Sequence, residues 1–291
     1  MLRVYDEKTR SRVVLVGTMH YNPTSIALAR DVVTEEAEAG DLRAVAVESC
    51  PTRWNATLDS QPPGSLMRWI CDNEMQSAAE AGEATGATLV LADQTIEETG
   101  RRIAQLFALT FAQLLTPWAG GWSRIYDDIR EAVEQTLDGG DEESVGPDAL
   151  LDPRLVVGAP LSLLRYPLSL AVKAPLVGLV VLGVLFGPFF LAANDYYASV
   201  TGVDYLVGTP FAAQGDATLG EVLGALGFSF LEFVVLGRVL LVGLLEERNF
   251  VLARQIRKAL FEEKPGGTLV AVLGMAHCTG VAKLLRDSRI V

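Results

Sequence analysis

The sequence predicts an α/β fold: a largely parallel or mixed sheet flanked by helices, interrupted by an inserted apolar helical hairpin. Three observations predict it. Short runs rich in β-branched residues alternate with helix-length amphipathic segments, the pattern of βαβ units. The run Val13–His20, VVLVGTMH, returns near the other end as Val270–His277, VAVLGMAH. Between the two, the composition inverts into long stretches almost free of charge. Residues 1–115 are therefore read as the first part of the α/β domain, 116–153 as an acidic linker, 154–245 as the apolar helical insertion, and 246–291 as the domain's closing part.

The first strand is Arg12–Val16, where valines suit a buried, pleated position. Gly17 lets the chain turn as the strand stops, and His20 lies just beyond the carboxyl end. Asn22 and Pro23 supply a cap and a first helical residue for an amphipathic run to Ala39, closed by Gly40-Asp41. Ala44–Val47 is a second strand that finishes on Glu48. Ser49–Gly64 contains three prolines together with Arg53 and Trp54, and reads as a loop. A helix is expected from about Ser65 to Gly82, then a third strand, Thr88–Leu91, ending on Ala92-Asp93. Thr95 starts a further helix. After the insertion, a helix runs from Glu246 to about Phe261, and Pro265-Gly266-Gly267 turns the chain into the strand Thr268–Leu273. A last helix spans about Thr279–Arg286.

At 291 residues and a formal charge of −12, the chain lacks the basic surface that phosphate contacts need, so nucleic acid is excluded as a partner. The three cysteines, Cys50, Cys71 and Cys278, are scattered and imply neither a disulfide framework nor a zinc finger. The first twelve residues are too charged for a secretory signal. Asp127–Asp152 is acidic and glycine-bearing, as a solvated connection would be.

The mean hydropathy is nevertheless positive. Ala174–Ala193 carries no charge over twenty residues, enough for one membrane span. Val222–Leu245 is a second apolar run, holding only Glu232 and Arg238 as charges. Arginines and Lys173 flank the pair, whereas the intervening loop Asn194–Glu221 has acids and no Lys or Arg. The positive-inside rule then sets both flanks in the cytoplasm, with the lipid bilayer as a partner and a soluble protein with an internal hairpin as the other outcome. A hairpin also returns the chain to its starting side, so His20 and His277 can meet. Leu155–Val172 is expected as an interfacial helix rather than a third span, because Arg165 and Pro167 interrupt it.

His20 and His277 are the only histidines in the chain, and each follows a glycine by three residues. In a parallel sheet the carboxyl ends of the strands share one edge, where ligands bind. That edge would gather His20, Glu48, Asp93 and His277. Two imidazoles and a carboxylate form a common ligand set for a divalent ion such as Mn, Co or Zn. Such an ion lowers the pKa of water and yields a nucleophile near neutral pH. Glu48 would be a ligand or a general base. Arg248 would either steady a substrate or form an ion pair with Glu48 or Asp93.

These residues resemble the TraB–PrgY–Tiki family. Its marks are here Gly17-Thr18-Met19-His20, Val45-Ala46-Val47-Glu48 with Arg53 beyond, Glu247-Arg248-Asn249, and Gly274-Met275-Ala276-His277. The resemblance covers about Val13–Arg102 and Glu246–Arg286. It implies an α/β fold akin to the erythromycin-esterase and haem-binding ChaN groups. It also implies a membrane-associated, metal-dependent hydrolase, a peptidase acting on a peptide or protein. On that reading His20, His277 and Glu48 hold the metal, Glu48 and Arg248 are catalytic, and Asp93, Arg53, Gly17 and Gly274 support the site. Gln94 stands where the family often has arginine, and the apolar hairpin lies inside the domain rather than after it. A non-catalytic membrane regulator that binds a peptide or a haem-type cofactor is the alternative. Nothing in the sequence sets an oligomeric state.

Overall fold

The computed structural model describes residues 1–136, 144–145, 151–173, 219–262 and 266–287, with isolated residues between 175 and 210. The chain begins with β1 (Leu2–Asp6), whose residues alternate between buried and exposed. This strand is absent from the sequence reading, because its charged residues hide a period-two pattern built on Leu2, Val4 and Asp6. β2 (Ser11–Thr18) follows and buries all four residues of the VVLV run. Asn22 then caps α1 (Pro23–Glu38), its side chain accepting from Thr24 N with Pro23 in the first turn. β3 (Leu42–Val47) is buried from Ala44 onward.

The expected loop at 49–64 instead contains α2 (Pro51–Ser60), with Pro51 at its start. The single helix expected over 65–82 is two: α3 (Leu66–Ile70), capped by Ser65, and α4 (Glu74–Ala84), capped by Asn73. Asn73 is the reason for the break, since an amide accepting from Gln76 N starts a new helix rather than continuing the old one. β4 (Thr88–Leu91) leads to α5 (Ile96–Leu114), which opens with a full capping box from Thr95 and Glu98.

α6 (Gly121–Thr136) occupies the first half of the expected acidic linker. Its acids line one side, while Ile125, Ala132 and Thr136 are buried. The rest of that linker lies mostly outside the described residues. α7 is Pro153–Lys173. β5 (Val203–Asp204) and β6 (Thr209–Pro210) form a two-residue ladder. α8 (Leu219–Arg238) runs into a π-helical segment, Val239–Glu246, and then α9 (Glu247–Glu262). β7 (Thr268–Gly274) is buried at all seven positions, and α10 (Met275–Arg286) starts directly on it.

The main sheet has the order β1-β2-β7-β3-β4. β2, β7, β3 and β4 are parallel, and β1 joins the edge antiparallel to β2. The sheet is therefore mixed, and the last strand inserts between the first two parallel ones. Val14 lies opposite Val270 and Gly17 opposite Leu273, so the two repeated runs are neighbours in the ladder. α1 and α4 cover one face over Val14, Val16, Val45, Val47, Val270 and Val272. α9 and α10 cover the other over Val13, Leu15, Ala44, Ala46, Leu269 and Ala271. Odd and even residues of each strand thus feed separate cores, as a doubly covered parallel sheet requires.

The chain divides into two units, Met1–Tyr166 with Val235–Val291, and Pro167–Val234. Among the described residues one helix, Pro153–Lys173, is long and apolar enough to cross a membrane, with a mean hydropathy of 1.6. This is the segment expected to be merely interfacial. The expected span at 174–193 lies largely outside the described residues. The expected span at 222–245 is not a continuous lipid-facing helix. Arg238, Val239, Val242 and Gly243 are buried, and the α-helix gives way to π-helix at Val239. Arg238 explains the burial: its guanidinium meets Asp128 on α6 and Thr110 and Gln113 on α5. Two spans are not supported.

Candidate active site

The four parallel strands end at one edge. Thr18 closes β2, Glu48 follows β3, Asp93 follows β4, and Gly274 closes β7. Backbone bonds hold these ends in register: Glu48 N donates to Val272 O at 3.2 Å and Asp93 N to Ser49 O at 3.1 Å. Thr18 Oγ1 donates to Leu273 O at 3.0 Å.

Gly274 is the meeting point. A Cβ there would stand 3.1 Å from Glu48 Oε2, 3.4 Å from His20 Nε2 and 3.6 Å from His277 Cδ2. Glycine leaves the space into which these three side chains converge. Gly17 serves the same edge differently: its Cβ would come within 3.0 Å of Cys278 Sγ, so its absence lets α10 seat against β2.

Glu48 is almost fully engaged. Gly274 N donates to Oε2 at 2.6 Å, Arg248 Nη2 donates to Oε1 at 2.6 Å, and His277 Nε2 lies 3.4 Å from Oε1. Burial would raise this carboxyl, but the charges and hydrogen bonds of His277 and Arg248 hold it well below the usual carboxylate range. Arg248 also pairs with Asp93 through Nε and Nη2, and Asp93 receives Arg53 as well. Burial works against the Arg248 charge, yet Glu48 and Asp93 raise its pKa above the ordinary value. Of the two readings open for Arg248, the ion pair is the one formed, and with both carboxylates at once.

Each histidine has its Nδ1 committed. His20 Nδ1 lies 2.6 Å from Glu74 Oε1, and His277 Nδ1 lies 2.7 Å from Asn249 Oδ1. Burial would lower the His20 pKa, but the hydrogen bond and charge of Glu74, with Glu48 behind, raise it to about 9. Tyr21, in the left-handed region at φ 61°, turns its N–H onto Glu74 Oε2 at 3.1 Å. His277 lies in the first turn of α10, which starts four residues earlier than expected.

All eight expected site residues, Gly17, His20, Glu48, Arg53, Asp93, Arg248, Gly274 and His277, gather at this edge. The sequence reading missed Glu74 and gave Asn249 no role. Asn73-Glu74 reads as an ordinary helix start, and nothing in its spacing points to His20. Asn249 had a usable signal, since it ends the Glu247-Arg248-Asn249 triplet and follows Arg248 onto the same helix. The pocket above these groups encloses about 350 Å³ and is lined on its apolar side by Met19, Leu244, Leu245 and Met275. Comparison with family models, curated proteins and solved structures finds no match to this chain.

Proposed function

We propose that the chain is a membrane-associated hydrolase of amide or ester bonds, a peptidase on the reading the TraB–PrgY–Tiki resemblance favours. The observation that carries the reading is the common posture of the two imidazoles. Each gives Nδ1 to a side-chain oxygen and turns Nε2 toward the pocket beside Gly274. That arrangement favours the tautomer in which Nε2 can bind a metal or move a proton, for His20 once the second ring proton has left.

The imidazoles of His20 and His277 are the groups that would hold a divalent ion such as Mn, Co or Zn. Among the described residues no three His, Cys, Asp or Glu side chains stand close enough to share an ion. Glu48 would join only after releasing the Gly274 N–H. A divalent ion there supplies Lewis acidity, which makes water ionise near neutral pH. The chain's own groups do the rest. Glu48, held ionised, steadies positive charge on His277 better than it takes up a proton. Arg248 keeps Glu48 ionised and in place, and Asp93 with Arg53 holds Arg248.

A second reading needs no metal: His277 moves the proton and Glu48 stabilises its imidazolium. The engagement of both Glu48 oxygens favours it. Metal analysis of the purified protein separates the two. The metal reading expects about one ion per chain, lost in His277→Ala with the fold retained. Activity that survives chelation in a metal-free protein selects the second reading, and no hydrolysis of any ester or peptide in either state defeats both.

Membrane association rests on α7, the one helix among the described residues long and apolar enough to cross a membrane, and the arginines near it would favour the cytoplasmic side for the α/β unit. Retention in the pellet after an alkaline carbonate wash is the expected result.

A further inference from the structure

We infer that the substrate is a neutral acyl compound with an apolar acyl chain, carrying no carboxylate or phosphate beside the bond that is cut. This rests on the hydrolase reading of the same pocket and adds the substrate class.

Arg248 is the one arginine lining the pocket, and its Nε and Nη2 are taken by Glu48 and Asp93. Arg53 is turned onto Asp93. Two guanidiniums thus face two buried carboxylates, and His20 faces Glu74. Among the described residues, and before any divalent ion binds, each arginine at the site and His20 already face a carboxylate, so none of these charges is left over for an anionic substrate group. Turning Arg248 toward a substrate carboxylate would leave buried Asp93 with Arg53 alone and buried Glu48 with only the Gly274 N–H and His277, a loss that works against the new pair.

The walls point the same way. Met19, Leu244, Leu245 and Met275 flank the histidines, and the two methionines can adapt to a flexible chain. The volume of about 350 Å³ is at the small end for ligand pockets and suits a short acyl segment.

The helix docked on the loop after His20 is apolar as well. The first part of α7 docks on the loop that follows His20. Asn22 Nδ2 donates to Leu155 O at 3.0 Å, Thr24 Oγ1 donates to Arg154 O at 3.2 Å, and the Tyr21 and Tyr166 rings meet edge-on at 5.9 Å. A Cβ at Gly158 would lie 2.6 Å from Asn22 Nδ2, so the two backbones approach closely there. On its other side α7 exposes Val157, Leu161 and Leu164, a stripe at helical spacing. An amphiphilic molecule held on that stripe is one helix width, roughly 10 Å, from the His20 loop.

The test uses non-hydrolysable neutral carbonyls and reads binding rather than turnover. Full-length protein in lipid nanodiscs, stripped of metal with a chelator, is titrated with 2-octanone, 2-butanone and octanoate by ligand-observed NMR, with empty nanodiscs subtracted. The four extra methylenes should tighten 2-octanone at least about tenfold over 2-butanone. Octanoate should bind at least about tenfold more weakly than 2-octanone. Leu245→Gln, and separately Met275→Gln, should erase most of the chain-length preference. Equal binding of the two ketones, or tighter binding of octanoate, overturns the inference from the unaltered protein alone. A protein that hydrolyses esters without this preference keeps the hydrolase reading and loses this one. A protein that selects 2-octanone but hydrolyses nothing keeps the ligand class and loses the hydrolase reading.

Discussion

At the scale of single residues, His20 is the group whose proton matters most. Its pKa rises from an ordinary 6.5 to about 9 because Glu74 outweighs the penalty of burial. A folded-state pKa above the unfolded one adds stability that is complete below about pH 6.5 and is lost as pH rises through about 9. The metal-free protein should therefore melt at a lower temperature at pH 9.5 than at pH 6, and Glu74→Gln should flatten that difference. Metal uptake has the opposite slope, since an ion must displace the same proton. Affinity for Mn or Co should climb with pH up to about 9, and an affinity independent of pH would remove His20 from the ligand set. Gly274 makes a second residue-scale prediction. A methyl group 3.1 Å from Glu48 Oε2 and 3.4 Å from His20 Nε2 is tighter than ordinary contact. Gly274→Ala should cost at least about tenfold in kcat/KM, because sub-ångström misplacement of reacting groups is felt in the rate. Circular dichroism should remain close to that of the parent.

Elements are where the sequence reading is strongest and also where it fails, for identifiable reasons. Valine-rich runs bounded by glycine locate β2, β3 and β7, because buried parallel strands must be continuously apolar. Asn22-Pro23 and Thr95 mark helix starts through capping chemistry that needs only local sequence. β1 escapes because its inward positions include Asp6, and a charge at that place reads as solvent-facing. Its partner, Arg257, comes from α9, far along the chain, and also bonds Leu284 O and Leu285 O. The same blindness affects Arg238, which weakens a membrane span on paper and is in fact buried against α5 and α6. Pairing across long sequence separations leaves no local signal, so these charges are legible only in three dimensions. The energetic consequence is testable. Asp6 and Arg257 are both buried, and removing Arg257 leaves the Asp6 carboxylate with the Thr9 hydrogen bonds but without this guanidinium. Arg257→Met should destabilise by about 3–5 kcal/mol in urea unfolding. Arg3→Ala, which breaks a half-exposed pair with Glu36, should cost only about 0–1 kcal/mol. Similar losses for the two would mean that Asp6 finds other partners.

At the scale of the whole molecule, the topology of the sheet constrains how the chain can meet a bilayer. β7 sits between β2 and β3 and bonds to both, so residues from the first and last parts of the sequence share one sheet and one site. A sheet cannot be divided by lipid, whose interior leaves ladder hydrogen bonds unsatisfied. Whatever path the chain takes between β4 and β7, it crosses a membrane an even number of times or not at all. Two G-x-x-H runs at strand ends need only one shared edge to meet, and the parallel pairing of β2 with β7 provides it. Residues on β1 and α9 therefore lie on the same side of any membrane, the cytoplasmic one on the proposed reading. Tyr5 is 56% exposed, and the Lys258 side chain is 66% exposed. Tyr5→Cys and Lys258→Cys, made separately, should both react with an impermeant maleimide from the cytoplasmic face of inverted vesicles and neither from the opposite face. The native Cys50, Cys71 and Cys278 are buried and should stay silent in folded protein. Labelling of the two sites from opposite faces would require the pairing of β2 with β7 to be broken, and with it the approach of His20 to His277 on which the chemistry depends.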